Sequence, residues 1–306
     1  MQLGGYAFGI FPRSEKLIDI SRSGNGFSEA AGKESDLLMK AQKEFGVSYI
    51  DDPQLVWDDM FRPILLTQKG FSINGITRYF ETNTFYKQPV IGSRIEYLGS
   101  LERYLSYHGT APSLITMPDP FTFFCMSKNV WYNDDGALVR DLGKLLAGMA
   151  NDLKNYGYKL LVLKGPMYAK CDASRLQESI MDSLHEIKNS FSGKVIVHTY
   201  FGNPSINARI LTGSSIDGIG IDPKFVSQDE IQLYGSKEIS VGAIDGFNTR
   251  LENINELKAI LRGLRGKAGS IYITNSVDLE FLPQNFAMSK VKLIGEAVRV
   301  LNDAEI

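Results

Sequence analysis

The stretch KVIVHTY, residues 194–200, decides the fold. Its centre, Val195-Ile196-Val197, is an unbroken β-branched run, whereas a strand with one face in water alternates apolar with polar residues. Strands that read this way are buried on both faces, as in a parallel sheet covered by helices. The same pattern recurs along the chain. SLITM (113–117), KLLVLKG (159–165), GIGID (218–222), ISVGAID (239–245) and SIYITN (270–275) are further short apolar runs. Helical periodicity fills the intervals, most plainly over 137–156, where Leu138, Leu142, Leu145, Leu146, Met149 and Leu153 share one face. Further helices are expected near 174–190, 205–212, 227–233, 252–264 and 286–301. Two more strands, GYAFGIF (5–11) and a weaker one over 89–98, bring the count to eight, at which a (β/α)8 TIM barrel closes. A doubly wound open sheet fits less well, because Pro12 stands where a dinucleotide fold needs glycines. Residues 14–88 read as a mainly helical excursion between the first two strands, clearest over 28–45 and 51–61. With no Pro/Ser/Gly-rich linker, the expectation is a single domain over 1–306.

Composition narrows the function classes. Thirty-three Lys and Arg against 35 Asp and Glu leave a net charge of -2, and no basic run offers a footprint for nucleic acid. Two cysteines, Cys125 and Cys171, make no disulfide framework. The start, MQLGGYAFGIFPRSEK, lacks the basic opening of a secretory signal, and no apolar stretch reaches the ~18 residues that span a bilayer. A cytoplasmic protein with small-molecule or protein partners is expected.

Barrel chemistry sits at the carboxyl ends of the strands. Those positions hold Arg13, Asp119, Lys164, His198, Asp222, Asp245, Asn275 and Asp278. Any one Asp or Asn among them reads first as a helix cap; as a ring they favour a binding mouth. The rim candidates for catalysis are His198, Asp222, Asp245 and Lys164. A zinc site needs about three donors from Cys, His, Asp and Glu, and His198 stands without paired ligand spacing, so no metal is expected. No GxSxG occurs, and the last two loops hold little glycine for a phosphate grip.

Three segments, GIFPRSEKL (9–17), DDPQLVWDDMFRP (51–63) and TRYFETNTFYKQP (77–89), resemble the cobalamin-independent methionine synthases. That family has two barrels: a carboxyl-terminal one holding zinc through His, Cys, Glu and Cys, and an amino-terminal one that has lost the metal and grips the glutamate tail of methyltetrahydrofolate. His198-Thr199-Tyr200 replaces the metal half's His-x-Cys, Lys164-Gly165-Pro166 replaces its Asp-Glu-Pro, and TNSVDLEF (274–281) lacks its cysteine. TYFGN, GIGID and ISVGAIDGFN are similar to the metal-free half. The resemblance therefore implies a stand-alone amino-terminal-type barrel. Its cosubstrate would be methyltetrahydrofolate polyglutamate, bound through Arg13, Lys16, Arg78 and Asn83, with Lys87 a further basic candidate. Zinc would belong to a separately encoded catalytic barrel, and the chain would not turn over alone as a homocysteine methyltransferase. Two alternatives stay open: a metal-free binding barrel without turnover, and an independent enzyme using Asp222, Asp245 and Lys164 as acid/base groups.

Overall fold

A computed structural model describes residues 2–106, 109–264 and 266–303. Ten strands occur among them: β1 (Gln2–Gly5), β2 (Lys69–Arg78), β3 (Phe85–Glu96), β4 (Leu114–Pro118), β5 (Lys128–Asn129), β6 (Leu160–Lys164), β7 (Lys194–His198), β8 (Gly218–Ile221), β9 (Glu238–Ile244) and β10 (Ser270–Asn275). Seven form one parallel sheet in the order β1-β10-β9-β8-β7-β6-β4. Helices cover its outer face, the longest being Phe27–Phe45, Asp135–Leu153 and Gln284–Asp303. Asp134 and Asp119 begin two of the helices by accepting backbone N–H groups of the first turn.

The sheet curls until its edge strands β1 and β4 are spanned by residues 48–52. Ser48 N–H donates to Gly5 O on one side, while Asp51 bridges Leu114 on the other and the Ser113 and Leu114 N–H groups donate to Ile50 O. This short segment is the eighth stave of a (β/α)8-type barrel, and it corrects two expectations. Residues 51–61 are not a helix, because Asp51, Asp52 and Pro53 open an extended strap. The stretch 89–98 is not a barrel strand either: β3 pairs with β2 and β5 in a separate three-stranded sheet. The excursion 14–88 contains the helices Glu15–Ser23, Phe27–Phe45 and Arg62–Thr67, but it ends in strand β2 and the first residues of β3.

The first strand ends at Gly5, not at residue 11. Beyond it the chain stays extended: Tyr6 N–H reaches Ile273 O, and the Asn275 side-chain amide then replaces the sheet ladder by accepting from Phe8 N–H and donating to Phe8 O.

Inside the barrel, Tyr6, Phe8, Leu114, Leu160, Val162, Ile196 and Tyr272 form a core separate from the larger one between sheet and helices. Strand side chains alternate with period two. Leu160 and Val162 are therefore followed inward by Lys164, and Ile196 by His198. The apolar floor thus dictates which polar residues face the mouth.

Candidate functional site in the barrel mouth

Lys164 and His198 are register partners on neighbouring strands, and both are buried. The Lys164 ammonium lies 2.8 Å from Asp278 Oδ1, an ion pair almost wholly shielded from solvent. The same oxygen accepts from Ile10 N–H at 3.0 Å. This contact requires Gly9, which sits at φ 102° and whose absent Cβ would collide with the Asp278 carboxylate. His198 packs against the Phe8 ring at 4.3 Å and against Gly220, where any side chain would overlap the imidazole. Neither ring nitrogen makes a well-aligned hydrogen bond. Burial pushes the imidazole down to about 3, the Ser276 backbone pulling weakly the other way. His198 is therefore a neutral ring.

Asp51 was missed as a site residue by sequence reasoning because it reads as the start of a helix. Its carboxyl is buried with neither oxygen partnered. Burial pushes it well above the usual range, as do the nearby Asp52 and Asp278 charges, against the pull of Lys164.

Asp222 and Asp245 lie together on the neighbouring strand ends. Lys224 ties them: its N–H donates to Asp222 at 2.9 Å and its ammonium to Asp245 at 2.6 Å. Burial raises Asp222; for Asp245 burial is outweighed by Lys224 and by Phe247 N–H, and the carboxyl is lowered. Beside them Lys290, fully buried, donates to Glu252 and to Arg250 O. Its signal in the sequence is a lysine on the same helical stripe as Ala287, Val291 and Ile294. Asp119 is a helix cap, with burial pushing it up to about 6.

The four residues expected at a folate tail separate. Arg13 is committed to the protein: its guanidinium donates to Leu55 O, Trp57 O and Asp58, and lies 5.0 Å from the Phe27 ring centre. Lys16 is exposed on the first helix and has no ion pair among the described residues. Both line a groove of about 780 Å³ that also takes in Ser14, Trp57, Glu280 and Gln284. Arg78 and Asn83 are elsewhere, on the β2–β3 hairpin, where Arg78 donates to Thr82 O; Lys87 lies further along β3, its backbone N–H bound to Asp59. Asn83 lines a smaller cavity of about 230 Å³ that reaches Lys164. Glu280 borders both cavities. Burial, together with Asp278, pushes it up to about 8.

These residues do not fit zinc. Beside His198 stands the Lys164 ammonium, already paired with Asp278, and among the described residues no three His, Cys, Asp or Glu side chains converge in a way that could hold a metal ion. Cys125, half-buried on the helix Pro120–Met126, has its thiol pushed up by burial, the state least suited to metal binding.

Residues 68–269 match the family described as "Cobalamin-independent synthase, N-terminal domain". The chain belongs to that family. A methionine synthase of Sulfolobus acidocaldarius is 24% identical over 299 residues, covering 92% of this chain and 87% of the relative. One from Saccharolobus solfataricus is 24% identical over 319 residues, covering 96% and 93%. Among solved structures, a B12-independent methionine synthase from a Shewanella species, in complex with selenomethionine, superposes with a TM-score of 0.80 at 15% identity, covering 99% of each chain. A putative B12-independent methionine synthase from Listeria monocytogenes gives 0.75 at 15% identity, covering 98% of this chain and 99% of that one. The two superpositions show that the curled sheet and its helices share the fold of those structures.

Proposed function

We propose that this chain is a metal-free barrel of the methionine synthase reaction. It would bind methyltetrahydropteroyl-polyglutamate and serve methyl transfer to homocysteine on a separate zinc-bearing barrel. The observation that carries the reading is the buried Lys164–Asp278 pair beside His198. A divalent cation drawn to the imidazole would meet a fixed ammonium, whose charge is set against Asp278.

The 780 Å³ groove supports the cosubstrate half of the reading. A glutamate tail is a flexible string of carboxylates. The groove offers it the Lys16 ammonium, a point charge with no ion pair among the described residues, while the amino-terminal end of the helix Glu15–Ser23 is already met by Glu34, which accepts from Ser14 N–H and from the Ser14 hydroxyl. Arg13 serves indirectly, by holding the Phe11-Pro12-Arg13 turn against the strap 55–58 and so fixing one groove wall.

The test is a methyl-transfer assay with methyltetrahydropteroyl-triglutamate and homocysteine, run with this chain alone, with a zinc-bearing barrel, and with both. Elemental analysis and calorimetric titration accompany it. The expected result is binding without turnover by this chain alone, stimulation of the partner, and a loss of about tenfold in affinity on Lys16→Ala, the scale of one charged hydrogen bond. Turnover by this chain alone, with stoichiometric zinc lost on His198→Gln, would overturn the reading.

A further inference from the structure

Residues 79–84, the tip of the β2–β3 hairpin, lie across the barrel mouth, and their hydrogen bonds are almost all their own. Tyr79 N–H donates to Thr84 O, Thr82 N–H to Tyr79 O, the Thr82 hydroxyl to Tyr79 O, and Arg78 to Thr82 O. Among the described residues a single hydrogen bond joins the tip to the barrel, between the Tyr79 and Tyr200 hydroxyls at 2.6 Å, both side chains being buried. The neighbouring contact is strained on both sides. Phe80 and Phe201 each hold positive φ, 51° and 65°, while their ring centres lie 4.9 Å apart. Aromatic residues rarely adopt that backbone region, and two that do so against one another mark a contact whose release returns free energy to the backbone.

Beneath the tip lies unspent hydrogen-bonding capacity. Asp51 Oδ1 and Oδ2, His198 Nδ1 and Nε2, and Asp278 Oδ2 are five buried polar atoms without a well-formed hydrogen bond among the described residues. Buried polar atoms in folded proteins nearly always have partners, so five in one barrel interior are a concentration that packing does not call for. The 230 Å³ cavity runs from Tyr79, Asn83 and Thr84 to Lys164.

We propose that residues 79–84 are a gate, held shut by the Tyr79–Tyr200 hydroxyl pair, which opens to admit a small polar molecule to the chamber of Asp51, Lys164, His198 and Asp278. The chamber suits a guest with both donor and acceptor groups, since Asp278 Oδ2 can only accept and the Lys164 ammonium only donates. The hairpin base stays fixed during opening: Lys87 N–H is bound to Asp59, and Phe71 stacks on Phe123 at 5.6 Å. This inference does not rest on the folate reading: its probe reads His198 in the barrel interior, whereas the 780 Å³ groove meets the cavity under the tip only at Asp58 and Glu280.

Diethyl pyrocarbonate, a small electrophile that acylates neutral imidazole, serves as the probe. Its adducts on His198 are read by mass spectrometry against those on exposed His185, alongside hydrogen exchange of the tip and of β7. In the wild type, His198 should react far more slowly than His185 yet faster than β7 amides exchange. Tyr79→Phe and Tyr200→Phe should each raise His198 labelling and tip exchange together, by about fivefold, with β7 exchange unchanged. Either variant suffices if the other fails to fold. The gate is overturned if His198 labelling follows β7 exchange in the wild type and both variants, or if His198 already reacts as fast as His185.

Discussion

Replacing Lys164 by Met removes the cation of a buried pair and leaves the Asp278 carboxylate with one donor, Ile10 N–H. At 2.8 Å and an effective dielectric of about 20, the gross attraction is about 6 kcal/mol, from which desolvation of the two ions takes back a large part. The relevant comparison, however, is with the variant, in which Asp278 remains buried opposite the unpartnered Asp51 carboxyl. Breaking one side of such a pair costs about 3–5 kcal/mol. The upper part of that range is expected, since Asp278 Oδ2 has no donor to fall back on. Equilibrium urea unfolding at pH 7, followed by tryptophan fluorescence, reads the loss. In the double variant Lys164→Met with Asp278→Asn, the amide oxygen still accepts from Ile10 N–H and the uncompensated charge is gone. It should regain about 2 kcal/mol over Lys164→Met alone. A cost below about 1 kcal/mol for the single variant, or a double variant no more stable than the single, would show that the pair does not organise the mouth as described.

Two further outcomes follow from the same geometry. His198 titrates near 6.5 when unfolded and near 3 when folded, so the unfolded chain alone takes up a proton below about pH 6.5; its contribution therefore falls progressively as pH drops from 6.5 toward 3, by at most about 5 kcal/mol, and His198→Gln should flatten that part of an acid-unfolding curve relative to the wild type. Arg13→Lys keeps the charge but loses the fork that spans Leu55 O, Trp57 O and Asp58, and should cost about 1–2 kcal/mol in thermal or urea unfolding, whereas a surface charge would cost nothing measurable.

The parts of the fold legible in the sequence are those whose side chains are buried on both faces. β4, β6, β7, β8, β9 and β10 show as apolar runs because solvent imposes no alternation on them. The eighth stave escaped because it is held by one bridge and by Ser48 and Asp52 rather than by a run of apolar residues, and Asp-Asp-Pro reads as a helix start. β2 escaped for the opposite reason: KGFSINGITR is mostly exposed and carries two glycines, so no burial pattern marks it. Strand-end counting brought Lys164, His198 and Asp278 to one place, but it could not foresee that Lys164 neutralises Asp278. Nor could it foresee that Arg13 turns inward, because pairing partners more than a hundred residues apart, or across a strap misread as helix, leave no local signal.

The charges of the mouth are largely spent on one another, and the pairs have a common geometry. Lys164–Asp278 joins β6 to the loop after β10, Arg13–Asp58 joins the turn after β1 to the strap, Lys224–Asp245 joins the loops after β8 and β9, and Lys290–Glu252 joins the loop after β9 to the last long helix. Each pair ties a loop or turn to another element: a strand, a helix, the strap or a second loop. A group held in this way is poorly placed to trade protons with a substrate, since the ion pair must break first. Lys16 and Glu280, which line the same open groove, have no ion pair among the described residues. One is a cation on the rim and the other a carboxyl that burial and the nearby Asp278 push up to about 8. On the proposed reading this division of labour separates walls from recognition: fixed pairs build the walls, and Lys16, set beside the exposed Glu15 in the first turn of its helix, is the unpaired cation that an anionic chain meets.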